Sequence, residues 1–136
     1  MYKNILVPID MGHVVEGKSI IDTAVENAAE GAKITLLNVV EEIPNWAAIN
    51  LPPDIIDKSL QEALDELKAI ANASGRKMEV EVRTGHSYNT ILDVAEEKDN
   101  DLIVVASHRP GLQDYFLGST AAKVVRHATC SVLVVR

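Results

Sequence analysis

Residues suited to binding a phosphate group fall at three places in this chain. Asp10 follows the apolar run 3–9, a Ser-His-Arg segment (107–109) follows the apolar run 102–106, and a Gly-Ser-Thr segment (118–120) precedes a helical pattern. The first backbone N–H groups of a helix have no internal partner and lie at the positive end of its dipole. Phosphate is the usual anion at such a position. Glycine lets the backbone approach closely, and the two hydroxyls can add donors.

Other chemistries lack their characteristic residues. Neither the phosphate-loop pattern G-x-x-x-x-G-K-[ST] nor the dinucleotide pattern G-x-G-x-x-G occurs. No nucleophile, base and orienting residue can be named together, so His108 is expected to lie beside a phosphate or bind within its loop rather than catalyse. The histidines have no H-x-x-x-H or cysteine partners, which disfavours a zinc site.

Apolar strands alternate with helical patterns throughout the chain. Helical spacing predicts helices at about 15–30, capped by Gly31, at 54–75, from Ser87 and from Gly118, with a loop at 41–53. The predicted strands are 3–9, 33–40, 78–83, 102–106 and 131–135. This β-α-β-α-β-α-β-α-β order predicts an α/β fold with a mostly parallel sheet covered on both faces.

The strand patterns also predict where a ligand would lie. The third strand alternates apolar and charged residues (Met78, Val80 and Val82 against Glu79, Glu81 and Arg83), as expected of an edge strand or a partly uncovered one. The first and fourth strands are apolar throughout and so buried on both faces. Ligands of open parallel sheets bind at the carboxyl ends of strands where the strand order reverses. If these two strands are neighbours, Asp10 and residues 106–109 share one crevice.

Length and composition exclude several classes of protein. The 136 residues indicate one domain, 1–136. The charge of −7 leaves no basic face for nucleic acid, and no apolar run is long enough to cross a membrane. The N-terminus lacks a signal-peptide layout, and Cys130, expected to be a small buried hydrophobic residue, is the single cysteine. The cytoplasm is therefore the expected compartment.

Three segments of the sequence resemble a known family. The segments KNILVPID at 3–10, ASHRP at 106–110 and LGSTAAKVVRHATCSVLVV at 117–135 are similar to the universal stress protein (UspA-like) superfamily, especially its small UspF/UspG-type single-domain branch. The resemblance implies a Rossmann-like fold: a five-stranded parallel open sheet of order 3-2-1-4-5 with helices on both faces. That order makes the first and fourth strands neighbours.

Part of that family binds ATP through the pattern G-x-x-G, nine residues, then G-[ST]. Gly118 and Ser119 match the second half. A gap-free count places Val105 and His108 at the earlier glycines, whereas one deletion places Ala106 and Arg109 there and keeps Ser107-His108 in register. The second alignment is preferred. Arg109 then replaces a glycine, but its guanidinium can bind phosphate.

The resemblance also implies roles for individual residues. Asp10 would accept hydrogen bonds from ribose hydroxyls or help to hold Mg²⁺, and Gly85 opens a turn near the site in which Ser87 replaces a family proline. Trp46 would either cover the base pocket or only anchor its loop. The implied base-pocket residues are Pro8 and Ile9, with backbone groups of Val39 or Val40 at the adenine edge. The implied phosphate neighbours are Ala106, Ser107, His108, Arg109, Gly118, Ser119 and Thr120.

The last strand predicts a partner. Ser131–Val135 is apolar, and at a sheet edge it would invite pairing. Pairing with the same strand of a second copy would give a two-fold homodimer, which the resemblance also implies.

Three functions remain open from the sequence. The first is an adenine-nucleotide-binding stress or regulatory protein, with ATP, ADP or AMP and possibly Mg²⁺, and without robust catalysis. The second is a protein-interaction module that binds no nucleotide, favoured by the two missing glycines. The third is an enzyme, either a slow ATPase or a phosphotransfer protein. A response-regulator receiver is excluded because Asp10 stands alone and Arg83-Thr84-Gly85 offers no phosphoacceptor.

Overall fold

The computed structural model describes residues 1–10, 14–107 and 117–136. Strands and helices alternate as the hydrophobic pattern predicts, with one further short helix in the predicted loop. The elements are β1 (Tyr2–Pro8), α1 (Val14–Glu26), β2 (Ala28–Val40), α2 (Asn45–Ala48), α3 (Ile55–Ala73), β3 (Glu79–Thr84), α4 (Ser87–Glu97), β4 (Leu102–Ala106), α5 (Ser119–His127) and β5 (Ser131–Val135). None of the helices in these described segments is long and apolar enough to span a membrane.

The five strands form one parallel sheet of order β3-β2-β1-β4-β5. This confirms the predicted α/β fold and strand order. β1 lies at the centre, and β3 and β5 form the two edges, as predicted. The strand order reverses between β1 and β4, so the expected crevice lies at the middle of the sheet.

Two apolar cores sandwich the sheet. On one face, Ile5 and Val7 of β1 pack with α1 and α3, where Leu67 and Ala71 are the buried residues of α3. On the other face, Leu6 packs with α4 and α5. Because successive strand residues point to opposite faces, a strand buried on both sides must be apolar throughout. The run Ile5-Leu6-Val7 satisfies that requirement, and all three side chains are fully buried.

The junction between α1 and β2 differs from the prediction. The helix ends at Glu26 rather than near residue 30, and β2 begins at Ala28 rather than Lys33. Gly31 is no helix cap; it lies inside β2 with φ +76°. The cause is pairing with β1: Tyr2 aligns with Ala28 and Asn4 with Lys33, a register shift that leaves extra residues bulged. Glycine tolerates the positive φ that the bulge requires.

Charged side chains occupy the exposed edge at β3. Glu79 pairs with Lys33 at 3.1 Å and with Lys98 at 3.7 Å, and Arg83 pairs with Glu97 of α4 and with Glu81 at 3.4 Å. Val80 and Val82, on the opposite side of the strand, pack against the core as predicted. Charges on an edge strand oppose edge-to-edge aggregation.

Candidate functional site

β1 and β4 separate before they end. Their parallel pairing joins Ile5 to Leu102 and Leu6 to Ile103, whereas β1 continues to Pro8 and β4 to Ala106. The separation opens the carboxyl edge of the sheet at the point where the strand order reverses. Open α/β sheets bind their ligands at this position.

The peptide before Asp10 is held from both sides by β2. The Ile9 N–H donates to the Leu37 carbonyl at 2.7 Å, and the side-chain Nδ2 of Asn38 donates to the Ile9 carbonyl at 2.9 Å. Asn38 and Ile9 are both buried, whereas Asp10 is exposed. The carboxylate of Asp10 is therefore presented to solvent from a backbone that β2 fixes.

Ser107 joins the end of β4 to the start of α5. Its N–H donates to the Val135 carbonyl at 2.8 Å, and its carbonyl accepts the Gly118 N–H. Ser107 is buried, and its backbone groups connect the end of β4 to β5 and to the start of α5. These bonds place the N-terminus of α5 beside the end of β4.

The N-cap residue of α5 supplies no side-chain cap. It is Gly118, which has no side chain to bond the first turn, and Ser119 is exposed while Thr120 is half-buried. Gly118 has φ −59°, which any residue can adopt. Glycine is therefore useful at this position because it is small, and not because of its conformational freedom. Uncapped N–H groups at the positive end of the helix dipole suit an anion.

The ends of β2 and β3 are tied together at a glycine turn. The Gly85 N–H donates to the Val40 carbonyl at 3.0 Å, and Ser87 Oγ donates to Glu41 Oε1 at 3.2 Å. Gly85 has φ +153°, and a Cβ placed on it would lie 2.5 Å from Thr90 Oγ1. A carbonyl oxygen has two lone pairs, so Val40 retains one for a further donor.

Most of the predicted site residues that the structure describes come together along this edge. Pro8, Val39, Val40, Gly85 and Ala106 are half-buried at the strand ends. Ile9 is buried with the core, so only its backbone can face a ligand. His108 and Arg109 lie outside the described residues. Among the described residues no group of three or more histidine, cysteine, aspartate or glutamate side chains could hold a metal ion.

Asn38 and Thr90 belong to this site, although the sequence analysis did not select either residue. Asn38 could have been found from the sequence because it is a polar residue within the apolar run Ile34–Val40, where a buried amide needs partners. Thr90 carries no such signal, because its role depends on the fold bringing it against Gly85.

These features define a class: a doubly wound parallel α/β protein whose candidate ligand site lies at the reversal between its central strands, beside a helix N-terminus with a glycine N-cap. The profile of the universal stress protein family matches residues 1–136. The chain belongs to this family. It is 34% identical to universal stress protein MJ0531 of Methanocaldococcus jannaschii over 141 residues, covering 100% of this chain and 83% of that protein. It is 31% identical to universal stress protein G of Salmonella typhimurium over 142 residues, covering 100% of both chains.

Solved structures share the fold. Protein MJ0577 superposes with a TM-score of 0.80 at 25% identity, covering 99% of this chain and 96% of that one. A universal stress protein in complex with cAMP gives 0.72 at 22% identity, covering 99% and 97%. A universal stress protein from Archaeoglobus fulgidus in complex with dAMP gives 0.67 at 20% identity, covering 99% and 98%.

Proposed function

We propose that this protein binds an adenine nucleotide in the crevice between β1 and β4 and acts as a stress-response or regulatory protein without robust catalysis. The observation that carries the proposal is the N-terminus of α5, with glycine as its N-cap residue, beside the separated ends of β1 and β4. The cAMP and dAMP complexes of structurally similar family members support it.

The residues at the crevice fit the parts of a nucleotide. Asp10, exposed on a fixed backbone, accepts hydrogen bonds from the ribose hydroxyls. The half-buried Pro8 lines the base pocket, and Val40 offers a backbone group to the adenine edge. The N–H groups of α5, with Ser119 and Thr120, bind the phosphates. Arg109 and His108 remain predicted phosphate neighbours.

A magnesium ion fits this arrangement only through the nucleotide. Asp10 supplies one carboxylate, and Mg²⁺ bound by one carboxylate and by phosphates keeps several of its waters. Slow hydrolysis of Mg-ATP therefore remains the third candidate activity. A single domain over 1–136 and a cytoplasmic location stay predictions.

The first experiment identifies what the purified protein carries. The protein is denatured, and any released small molecule is identified by chromatography and mass. Stoichiometric ATP, ADP or AMP supports the proposal. An empty protein that also gives no heat on titration with Mg-ATP would favour the interaction module, which the missing family glycines already suggest.

A variant series then tests the position of the phosphates. Gly118→Val should weaken ATP binding about tenfold or more, because its side chain occupies space beside the first N–H groups of α5. The loss should be larger for ATP than for adenosine. Val125→Ala, on an exposed position of the same helix, is the matched control and should bind normally.

The homodimer is a separate part of the proposal. β5 is an edge strand of Ser131–Val135, and its apolar residues are half-buried in this single chain. Pairing with a second copy would cover this edge. Light scattering at micromolar concentration should give about twice the chain mass of 14.8 kDa; the mass of one chain would exclude the dimer.

A further inference from the structure

The segment between β2 and α3 holds large apolar side chains in water. Among the described residues, eight large hydrophobic residues are exposed, and five of them lie within residues 43–56. Trp46 is 77% exposed and Ile49 is 79% exposed. The others are Ile43, Ile55 and Ile56. Exposed apolar residues that cluster in this way, rather than occurring singly, mark interaction surfaces. We call residues 43–56 the apolar patch.

The apolar patch is a folded segment whose backbone is held by hydrogen bonds. Ala47 and Ala48 donate to the Pro44 carbonyl at 2.9 Å, and Ile55 donates to the Pro52 carbonyl at 3.1 Å. Trp46 and Ile49 are three residues apart, at the spacing that places side chains on one side of a helical turn. No residue of α2 is buried, so this turn serves no core of its own chain.

Exposed acidic residues lie at both ends of the apolar patch in the sequence, and basic residues are absent from it. Positions 34–57 contain no lysine, arginine or histidine. Glu41 and Glu42 precede the patch, and Asp54 and Asp57 lie at its far end; all four are exposed. An apolar centre with a rim of one charge is complementary to a surface with an apolar centre and a rim of the opposite charge.

We propose that the apolar patch docks a basic amphipathic helical segment of another protein. Apolar side chains of that segment would cover Trp46 and Ile49, and its lysines or arginines would face the acidic rim. A second copy of this chain is disfavoured because two acidic rims would repel each other, and an anionic membrane surface is disfavoured for the same reason. This surface goes beyond nucleotide binding, and it needs no bound nucleotide.

Trp46 is the single tryptophan of the chain, so its fluorescence reports on the patch directly. The probe is a synthetic helical peptide with leucine on one face and lysine on the other. We expect saturable binding to the nucleotide-free protein, a blue shift of the tryptophan emission as water leaves the indole, and weaker binding at high salt. A peptide of the same composition with scrambled order and a peptide with glutamate in place of lysine are the controls, and neither should shift the emission.

Variants distinguish binding at the apolar patch from nonspecific attraction to an acidic protein. Ile49→Ser should weaken peptide binding about tenfold or more, as truncation of a central interface residue does. Because Ile49 is so exposed, the unfolding midpoint of the Ile49→Ser protein should equal that of the parent chain. The double change Glu41→Gln and Glu42→Gln should weaken binding and flatten its salt dependence. The matched controls are Val125→Ser on α5 and the pair Asp22→Asn and Glu26→Gln on α1, all exposed, and they should bind normally.

Three results would overturn the proposal. Equal losses from the α1 pair and from the Glu41 and Glu42 pair would show nonspecific attraction to an acidic protein. An emission shift with AMP or ATP and none with the peptide would make Trp46 a cover of the nucleotide pocket. A fall in mass by light scattering on Ile49→Ser, without peptide, would make the patch a contact between copies of this chain.

Discussion

The side-chain amide of Asn38 donates a 2.9 Å hydrogen bond to the carbonyl of Ile9, the residue that precedes Asp10. This bond crosses from β2 to the end of β1 inside the core, where water cannot replace it. The position of Asp10, and with it one wall of the proposed nucleotide site, therefore depends on a buried residue of β2.

Replacing Asn38 should affect both stability and binding. Asn38→Leu keeps the size of the side chain but leaves the Ile9 carbonyl without this donor, which costs about 1–3 kcal/mol in free energy of unfolding. Urea unfolding measures that loss. Because the residue before Asp10 is then held only by its own N–H bond to Leu37, AMP affinity should also fall, as measured by calorimetry. A variant with unchanged stability would show that the bond contributes nothing net.

Thr35 on the same strand provides the opposite prediction. Its Oγ1 is buried and has no hydrogen-bond partner among the residues that the structure describes. Thr35→Val removes an unsatisfied hydroxyl at nearly constant shape, so the free energy of unfolding should stay unchanged or rise. The same urea experiment checks this, and AMP affinity should be unaltered. A clear loss of stability would mean that the hydroxyl bonds a buried water.

Gly85 should tolerate no side chain while Thr90 is present. The φ of +153° and the distance of 2.5 Å from an added Cβ to Thr90 Oγ1 both oppose Gly85→Ala. We expect a loss of about 1–3 kcal/mol in unfolding free energy. Gly75→Ala, with φ +71° and nothing within 4 Å of the added Cβ, is the control and should cost only the backbone strain, about 1–2 kcal/mol.

A double-mutant cycle separates the two causes at Gly85. Thr90→Ala removes the hydroxyl that the new Cβ would strike, so Gly85→Ala should cost less in that background. The remaining cost is the strain of the positive φ. An identical cost in both backgrounds would contradict the steric contact between residues 85 and 90.

Hydrophobic patterning predicted the fold more completely than the site. The continuous apolar runs at β1 and β4 indicated central strands, and the charges of β3 indicated an edge, because burial on one or two faces dictates these patterns. The strand order itself came from the family resemblance. The end of α1 was predicted wrongly because residues 27–30 suit a helix locally, while pairing with Tyr2 draws Ala28 into β2.

The sequence predicted only those parts of the site that a short run of neighbouring residues defines. Gly118 and Ser119 predict a helix N-terminus from the sequence alone, and the structure confirms that helix. Asn38 acts through Ile9, 29 positions away, a contact that exists only once β1 and β2 lie side by side. Thr90 meets Gly85, five positions away, at the start of α4. The exposure of Trp46 likewise depends on what the surrounding elements leave uncovered.

Acid should destabilise the fold through Asp101, at the opposite end of the sheet from the site. Its two carboxylate oxygens accept the N–H groups of Lys3 and Asn4, both at 2.9 Å. Burial alone would raise the pKa of Asp101, but these N–H groups together lower the pKa below its usual value of 3.8. A carboxyl group whose pKa is lower in the folded state stabilises the fold above its unfolded pKa. That stability is lost as the pH falls below about 4 and through the folded pKa.

Asp101→Asn tests this account. The neutral amide accepts less strongly and brings its own N–H groups towards two backbone donors, so unfolding free energy should fall at pH 7. Between pH 5 and pH 3 the unfolding free energy of Asp101→Asn should fall less steeply than that of the parent chain. Glu97→Gln is the control: the Arg83 hydrogen bond lowers the pKa of Glu97, yet that pair is exposed and its effect should be small and removed by salt. Parallel acid profiles for the parent chain and Asp101→Asn would assign the acid sensitivity to other carboxyl groups.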